Sequence, residues 1–274
     1  MKFRALAFMV MVVGWAAGAD EATAQRGGTE RALRAEVVAV VPLEELGTLP
    51  EGGVRLLRAP NPNALYSNIT ATTDKYLQQG PSGSGFARLL LDDVTFTTTA
   101  AGGGIGEMSF AVVNPFPAQI SARLRMRLWN ADGAPGGPGQ PNRPGTYYVD
   151  PVTGNPIGPS TSTPFPMVPG LNVVRLWFPG GIIFNLPSPG THTIWIGLTF
   201  SNDAGSTATT AQLASLGQML FGPPEVGSSA DAVFETDLPG SFFLVNNPAG
   251  SVYGLESPAA NLGWELVFGP GPTE

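Results

Sequence analysis

Cysteine is absent from this chain. Its absence excludes a disulfide scaffold, a thiol nucleophile, an iron–sulfur cluster and a lipid-bearing cysteine behind a signal peptide. Histidine occurs once, at His192. One imidazole without any thiolate argues against zinc and copper sites built on nitrogen and sulfur ligands. A histidine-based triad needs a serine and an acid beside it in space, and no G-x-S-x-G stretch is present. His192 therefore reads as a strand residue, not a catalytic one. Charge is also scarce: only 13 % of residues are charged, and basic residues number 14 against 21 acidic. A phosphate backbone calls for a clustered basic face. The one dense basic group, Arg123, Arg125 and Arg127, alternates with apolar residues, which is the pattern of one strand's wet face. Nucleic acid is therefore not an expected partner.

The first 25 residues carry the clearest positive signal. Lys2 and Arg4 precede the apolar run Ala5 to Val13, and two A-x-A sites follow, Ala17-Gly18-Ala19 and Ala22-Thr23-Ala24. A charged start, a short apolar run and a small-residue cleavage site make a secretory signal peptide. The run is shorter than the roughly 20 apolar residues that span a bilayer. Cleavage after Ala19 is expected, with Ala24 as the second choice, and no membrane segment remains afterwards. Loss of Lys2 and Arg4 takes the net charge from −7 to −9.

Gly (36) and Pro (27) together approach a quarter of the chain, well above ordinary usage. Disorder goes with low hydrophobicity, yet 43 % of residues are hydrophobic and 15 are Phe. Many short strands joined by turns satisfy both facts. QISARLRMRLWN shows it best: Ile120, Ala122, Leu124, Met126 and Leu128 face one way, and Ser121, Arg123, Arg125, Arg127 and Trp129 the other. Such alternation marks an antiparallel strand with one wet face. Further strands are expected at residues 89–99, 105–114, 171–178, 191–201, 241–246 and 262–268. The fold class is all-β: an antiparallel β-sandwich, jelly-roll-like, over residues 61–268. Residues 1–19 are the signal peptide and 269–274 a disordered tail. Residues 20–60 read as a mobile N-terminal extension or linker holding one short helix or an added strand, with helix formers at Thr29–Glu36 and a strand-like Val37–Val41. A long Pro/Gly-rich loop runs from Ala131 to Pro166, and a second, Asp203 to Gly217, reads as a cover over a sheet edge, with one or two helical turns at Thr210 to Leu216 as the alternative.

Three stretches, LLLDDVTFTTTAAGGGIGEMSFAVVN with the following Arg123–Asn130 strand, LGQMLFGPPEVGSSADAVFE, and GSFFLVNNPAGSVY with PAANLGWELVF, form an ordered set. In that order the chain resembles secreted bacterial β-sandwich proteins of the planctomycete and PEP-CTERM exported type, over residues 61–268. The resemblance implies export and a sandwich, not an activity. A sorting tail of that set would carry a Pro-Glu-Pro motif, an apolar helix and basic residues, whereas this sequence ends Gly-Pro-Gly-Pro-Thr-Glu. That favours a secreted or periplasmic protein over an anchored one.

Three chemistries are open to such a chain. Sugar can stack on aromatics, and Trp129, on the arginine face, with Tyr147 and Tyr148 in the long loop, are the candidates. Trp177, Trp195 and Trp264 sit in apolar strands and read as core. A hard cation such as Ca2+ takes oxygens from carboxylates and carbonyls. Asn130, Asp132 and Asp93 are the candidate ligands; Asn130-Ala131-Asp132-Gly133 has a calcium-loop look without the later glutamate, and an Asx-turn ending the strand is the alternative. Glycoside hydrolysis needs a facing carboxylate pair, and Asp92, Asp93, Glu107, Asp231, Glu235, Asp237 and Glu265 are available. Asp92 and Asp93 are adjacent on a strand, so they point to opposite faces. The reading is an exported, non-enzymatic structural, adhesion or surface-associated protein meeting a polysaccharide or cell-surface component. A carbohydrate-binding module and a carboxylate-based glycan hydrolase are the alternatives.

Overall fold

A computed structural model describes residues 34–41, 60–69, 72–82, 86–99, 103–155, 157–158, 161, 164–186, 189–203, 205–230, 232–237, 245–254, 261–270 and 272–273. The expected signal peptide, both A-x-A sites, Asp231 and most of residues 20–59 lie outside them. The described residues build an antiparallel all-β sandwich of two sheets. The first contains β1 (Arg34–Val41), β2 (Ala64–Ser67), β3 (Thr72–Gln78), β7 (Gly104–Asn114), β10 (Gly170–Trp177), β11 (Phe184–Asn185), β13 (Gly217–Phe221), β16 (Asn261–Leu262) and β17 (Trp264–Phe268). The second contains β4 (Pro81–Ser82), β5 (Phe86–Ala87), β6 (Leu89–Thr98), β8 (Ile120–Asn130), β9 (Phe165–Met167), β12 (Gly190–Ser201), β14 (Ala232–Thr236) and β15 (Ser251–Gly254).

The long alternating runs become the central strands. β12 pairs with β6 on one edge and β8 on the other, with Ile196 opposite both Asp92 and Leu128. β7 pairs with β10 along residues 107–114. Its other edge is shared, β17 taking residues 105–110 and β13 residues 112–113. Leu124, Met126 and Leu128 with Ile194, Ile196 and Leu198 face Met108, Phe110, Leu176, Trp264 and Leu266 in one core. A short helix, α1 (Thr210–Ser215), forms where a covering loop was the favoured reading and helical turns the alternative. Thr209 and Gln212 close a capping box, Leu213 is buried, and the helix lies against β4 and β5. Among the described residues no helix is long and apolar enough to cross a membrane.

Three boundaries differ from expectation. The sandwich takes in Arg34–Val41 of the extension, where an added strand was one option, as an edge strand on β10. Arg34 to Glu36, counted among helix formers, are extended there because pairing with Trp177, Leu176 and Arg175 overrides a weak local preference. Of the strand expected at 241–246, Val245 and Asn246 lie outside any strand, Asn246 in a bend; the rest is outside the described residues. The stretch expected as a disordered tail is tied down: Pro272 accepts a 3.0 Å hydrogen bond from Gly180 N, and Gly269 N donates to Gly104 O at 3.0 Å.

Candidate functional site

Alternation places Trp129, Trp195 and Asp93 in one row across β8, β12 and β6, on the face opposite the core. A wet face was expected there. Instead the Pro/Gly-rich loop folds back over it. Asn130 N donates to Thr146 O (2.9 Å), Gly145 N to Asn130 O (3.0 Å) and Tyr148 N to Leu128 O (3.0 Å), so residues 145–148 run beside the end of β8. Trp195 Nε1 donates to Asn142 O at 2.8 Å, and Trp129 Nε1 to Val245 O at 2.9 Å. Tyr147 packs edge-on against Trp129 at 5.1 Å. With Leu89, Leu91, Ala232 and Phe234 these rings form a second apolar cluster.

The three sugar-stacking candidates are therefore buried: Trp129 is 0 %, Tyr147 5 % and Tyr148 4 % exposed. Tyr147 donates to Ile157 O. Burial pushes its hydroxyl up to about 12, against a smaller opposing pull from Arg127. Tyr148, its neighbour in sequence, points the other way into the main core, edge-on to Phe184, and donates to Asn185 O at 2.8 Å. Burial raises its pKa further still, and Asp150 adds to the rise. The sequence reading placed the strand face correctly but could not show that the loop covers it.

The same cover corrects the arginines. Arg125 and Arg127 are buried. Arg127 donates to Met126 O (2.7 Å) and Gly158 O (3.2 Å), and Arg123 Nε to Thr161 O (3.0 Å). Asp203 takes both Arg125 (2.6 Å) and Arg123 (3.1 Å). Burial alone would raise the Asp203 pKa, but the Ser201 hydroxyl and the Arg125 guanidinium outweigh it and hold the carboxyl below its ordinary range.

The candidate cation ligands separate. Asp132 is exposed, and its two oxygens accept from Thr146 N (2.6 Å) and Thr146 Oγ1 (2.5 Å). Asn130 Nδ2 donates to the same Thr146 hydroxyl at 3.0 Å. Asp93 sits across β12 from Trp129, two strand spacings or about 10 Å away, with Trp195 between. It is buried and accepts from Ala230 N (2.9 Å) and Ser229 Oγ (3.3 Å). Asp93 therefore does not join Asn130 and Asp132, and among the described residues no cluster of three or more Asp, Glu or His could hold a metal.

The remaining acids are also engaged. Glu235 and Asp237 flank Arg88, the latter at 2.5 Å. Glu265 Oε2 accepts from Ser67 Oγ and Asn61 N, both at 3.1 Å. Asp92 faces the core and Asp93 the outer face, as adjacency on a strand requires. Asp150, which sequence reasoning missed, accepts from Val152 N, Thr153 N and Asn185. Burial opposes its ionisation, but the Asn185 and turn donors outweigh it and lower its pKa. The Asp-Pro-Val-Thr sequence there is an Asx-turn signal.

One end of the second sheet stays open. His192 lies there, its ring 6.0 Å from Phe96 and Nε2 3.4 Å from Thr98 Oγ1. Cross-strand threonines pair beside it: Thr95 with Thr193 (2.8 Å) and Thr97 with Thr191 (3.0 Å). Residues 225–228 form a strap between the sheets, bonded to Ser67 of β2 and to Thr95 of β6. A cleft of about 420 Å3 opens beside the strap, among Ala64, Leu65, Thr95, Thr97, Thr191 and Ser228. Compared with known proteins, the chain matches no family model, no curated protein and no solved structure.

Proposed function

We propose that the mature chain is an exported, non-catalytic β-sandwich with a structural or adhesive role, secreted or periplasmic. One observation carries the reading. Asp93, Asp132, Asp150, Asp203, Glu235 and Glu265 all accept hydrogen bonds from this chain. They fasten loops and strands to one another and are not gathered at a cleft. A glycosidase needs two carboxylates facing one bond; here the acids act as fasteners in a fold that has no disulfide. The amino-terminal pattern supports export.

Two measurements test it. Fractionation with N-terminal sequencing should find a chain beginning at Asp20 outside the cytosol, and intact Met1 in the cytosol would overturn export. A panel of glycans should show no turnover. Hydrolysis abolished by changing one carboxylate would replace this reading with the hydrolase one.

A further inference from the structure

We propose that the cleft between β2, β6 and the strap binds a neutral, hydroxyl-rich glycan chain. The inference rests on the adhesive reading and supplies the contact that reading lacks, at residues other than the buried loop aromatics.

The chemistry of the walls selects the ligand. None of the lining side chains is ionisable, so neither a phosphate nor a carboxylate polymer gains a counter-charge there. The acidic chain, −7 before cleavage, repels such polymers as well. Each hydroxyl brings one donor and two acceptor sites. One bond within each threonine pair leaves that pair one donor and three acceptor sites. Thr97 and Thr191 are exposed and Thr95 and Thr193 half-buried, so this capacity faces outward. Ala64, Leu65 and Val226 provide an aliphatic wall, suited to the C–H face of a sugar ring. A volume of about 420 Å3 falls within the range of small-ligand clefts.

The strap defines the cleft's edge. Thr95 N donates to Ser228 O (2.8 Å) and Ser228 N to Thr95 O (3.0 Å). Main-chain groups of a strand alternate between edges, so those of Thr97 face the same side as those of Thr95, just past the strap. Among the described residues none pairs with them there. Thr97 thus offers a main-chain donor and acceptor next to its own hydroxyl. The strap keeps this edge open by a tight crossing at Gly227 (φ +80°), where a Cβ would stand 2.7 Å from Thr95 O and 2.8 Å from the Tyr66 ring.

Geometry also sets the ligand's length. Paired threonines are about 5 Å apart across the strands and the two pairs about 7 Å apart along them. A single ring reaches one pair, whereas a chain reaches both. Binding should therefore rise with chain length.

The test is affinity electrophoresis and calorimetry of the mature chain with laminarin and hydroxyethyl cellulose. The double variant Thr97→Val, Thr191→Val keeps β-branching at exposed positions and removes both hydroxyls. It is expected to weaken binding at least about ten-fold, the equivalent of about 1.4 kcal/mol, with an unchanged melting temperature. The variant Thr97→Ser, Thr191→Ser should restore binding, and glucose should not compete. Binding retained by the valine variant would overturn the cleft while leaving an adhesive role intact. Failure of the wild-type chain to bind either polymer, preference for alginate, or Thr97 amide protection by an extended peptide alone would each overturn the inference. The fractionation result judges the adhesive reading separately.

Discussion

Replacing Trp129 with alanine should unfold the protein's outer layer before it affects any ligand. Trp129 is fully buried beside Trp195, Tyr147 and Leu91. Removing a buried Trp side chain costs about 3–5 kcal/mol. The Val245 carbonyl also loses the indole donor at 2.9 Å, worth about 1 kcal/mol more. At about 2–4 °C per kcal/mol for a domain of this size, the melting temperature should fall by roughly 10–20 °C. Trp129→Phe keeps most of the apolar area and should lose about 1–2 kcal/mol. Urea titration followed by tryptophan fluorescence and circular dichroism measures both. Limited proteolysis should show early cuts between Ala131 and Pro166, because Tyr147 leans on the missing ring. An alanine variant that melts with the wild type but loses binding to insoluble polysaccharide would refute the reasoning and restore Trp129 as a sugar platform.

Four further outcomes follow from the geometry. The Asp203 carboxyl is held below its ordinary range, so its contribution is present above about pH 4 and lost as pH falls below that; Asp203→Asn should flatten the acid limb of stability against pH. Tyr147 is raised to about 12 from about 10 when unfolded, so stability should be full below about pH 10 and fall as pH rises toward 12, with tyrosinate absorbance growing as the fold is lost; a Tyr147→Phe variant should lessen that loss. Gly227→Ala forces a side chain into a left-handed turn and should cost about 1–3 kcal/mol by urea titration. A Val37→Cys, Val174→Cys pair, opposite one another in the β1–β10 register, should form an intramolecular disulfide without competing thiols; a purely intermolecular product would refute that pairing.

Much of the sandwich can be read from alternation. From Ile120 to Leu128 and from Ile194 to Phe200 every second residue enters the core, and Asp92 and Asp93 divide between faces as adjacency demands. Alternation separates two faces but cannot say which of them meets water. Arg125, Arg127 and Trp129 share the outer face; the Pro/Gly-rich loop covers Arg127 with the Gly158 carbonyl and Trp129 with Tyr147, Val245 takes the Trp129 indole, and Asp203, Ser201 and Phe86 enclose Arg125. Proline and glycine density marks that loop without showing where it lands. β1 was half-legible for a related reason: its edge pairing comes from β10, far along the chain. The cleft was not legible at all, since it joins β2, β6 and the strap, and its threonines look like ordinary strand surface.

The fasteners over the outer face arrive late. Trp129 is held by Val245, 116 residues on, and Tyr147 by Asn246, 99 residues on. Glu265 of β17, which fills the middle of β7, reaches back 198 residues to Ser67. Contacts so distant in sequence slow folding, because loop closure must precede any reward. A nascent chain that still lacks β17 and the 245–247 segment has neither the strand that completes the core nor the carbonyl that holds its lid. The topology therefore postpones folding until the last strand is available, a delay that would keep the chain threadable during the export proposed above.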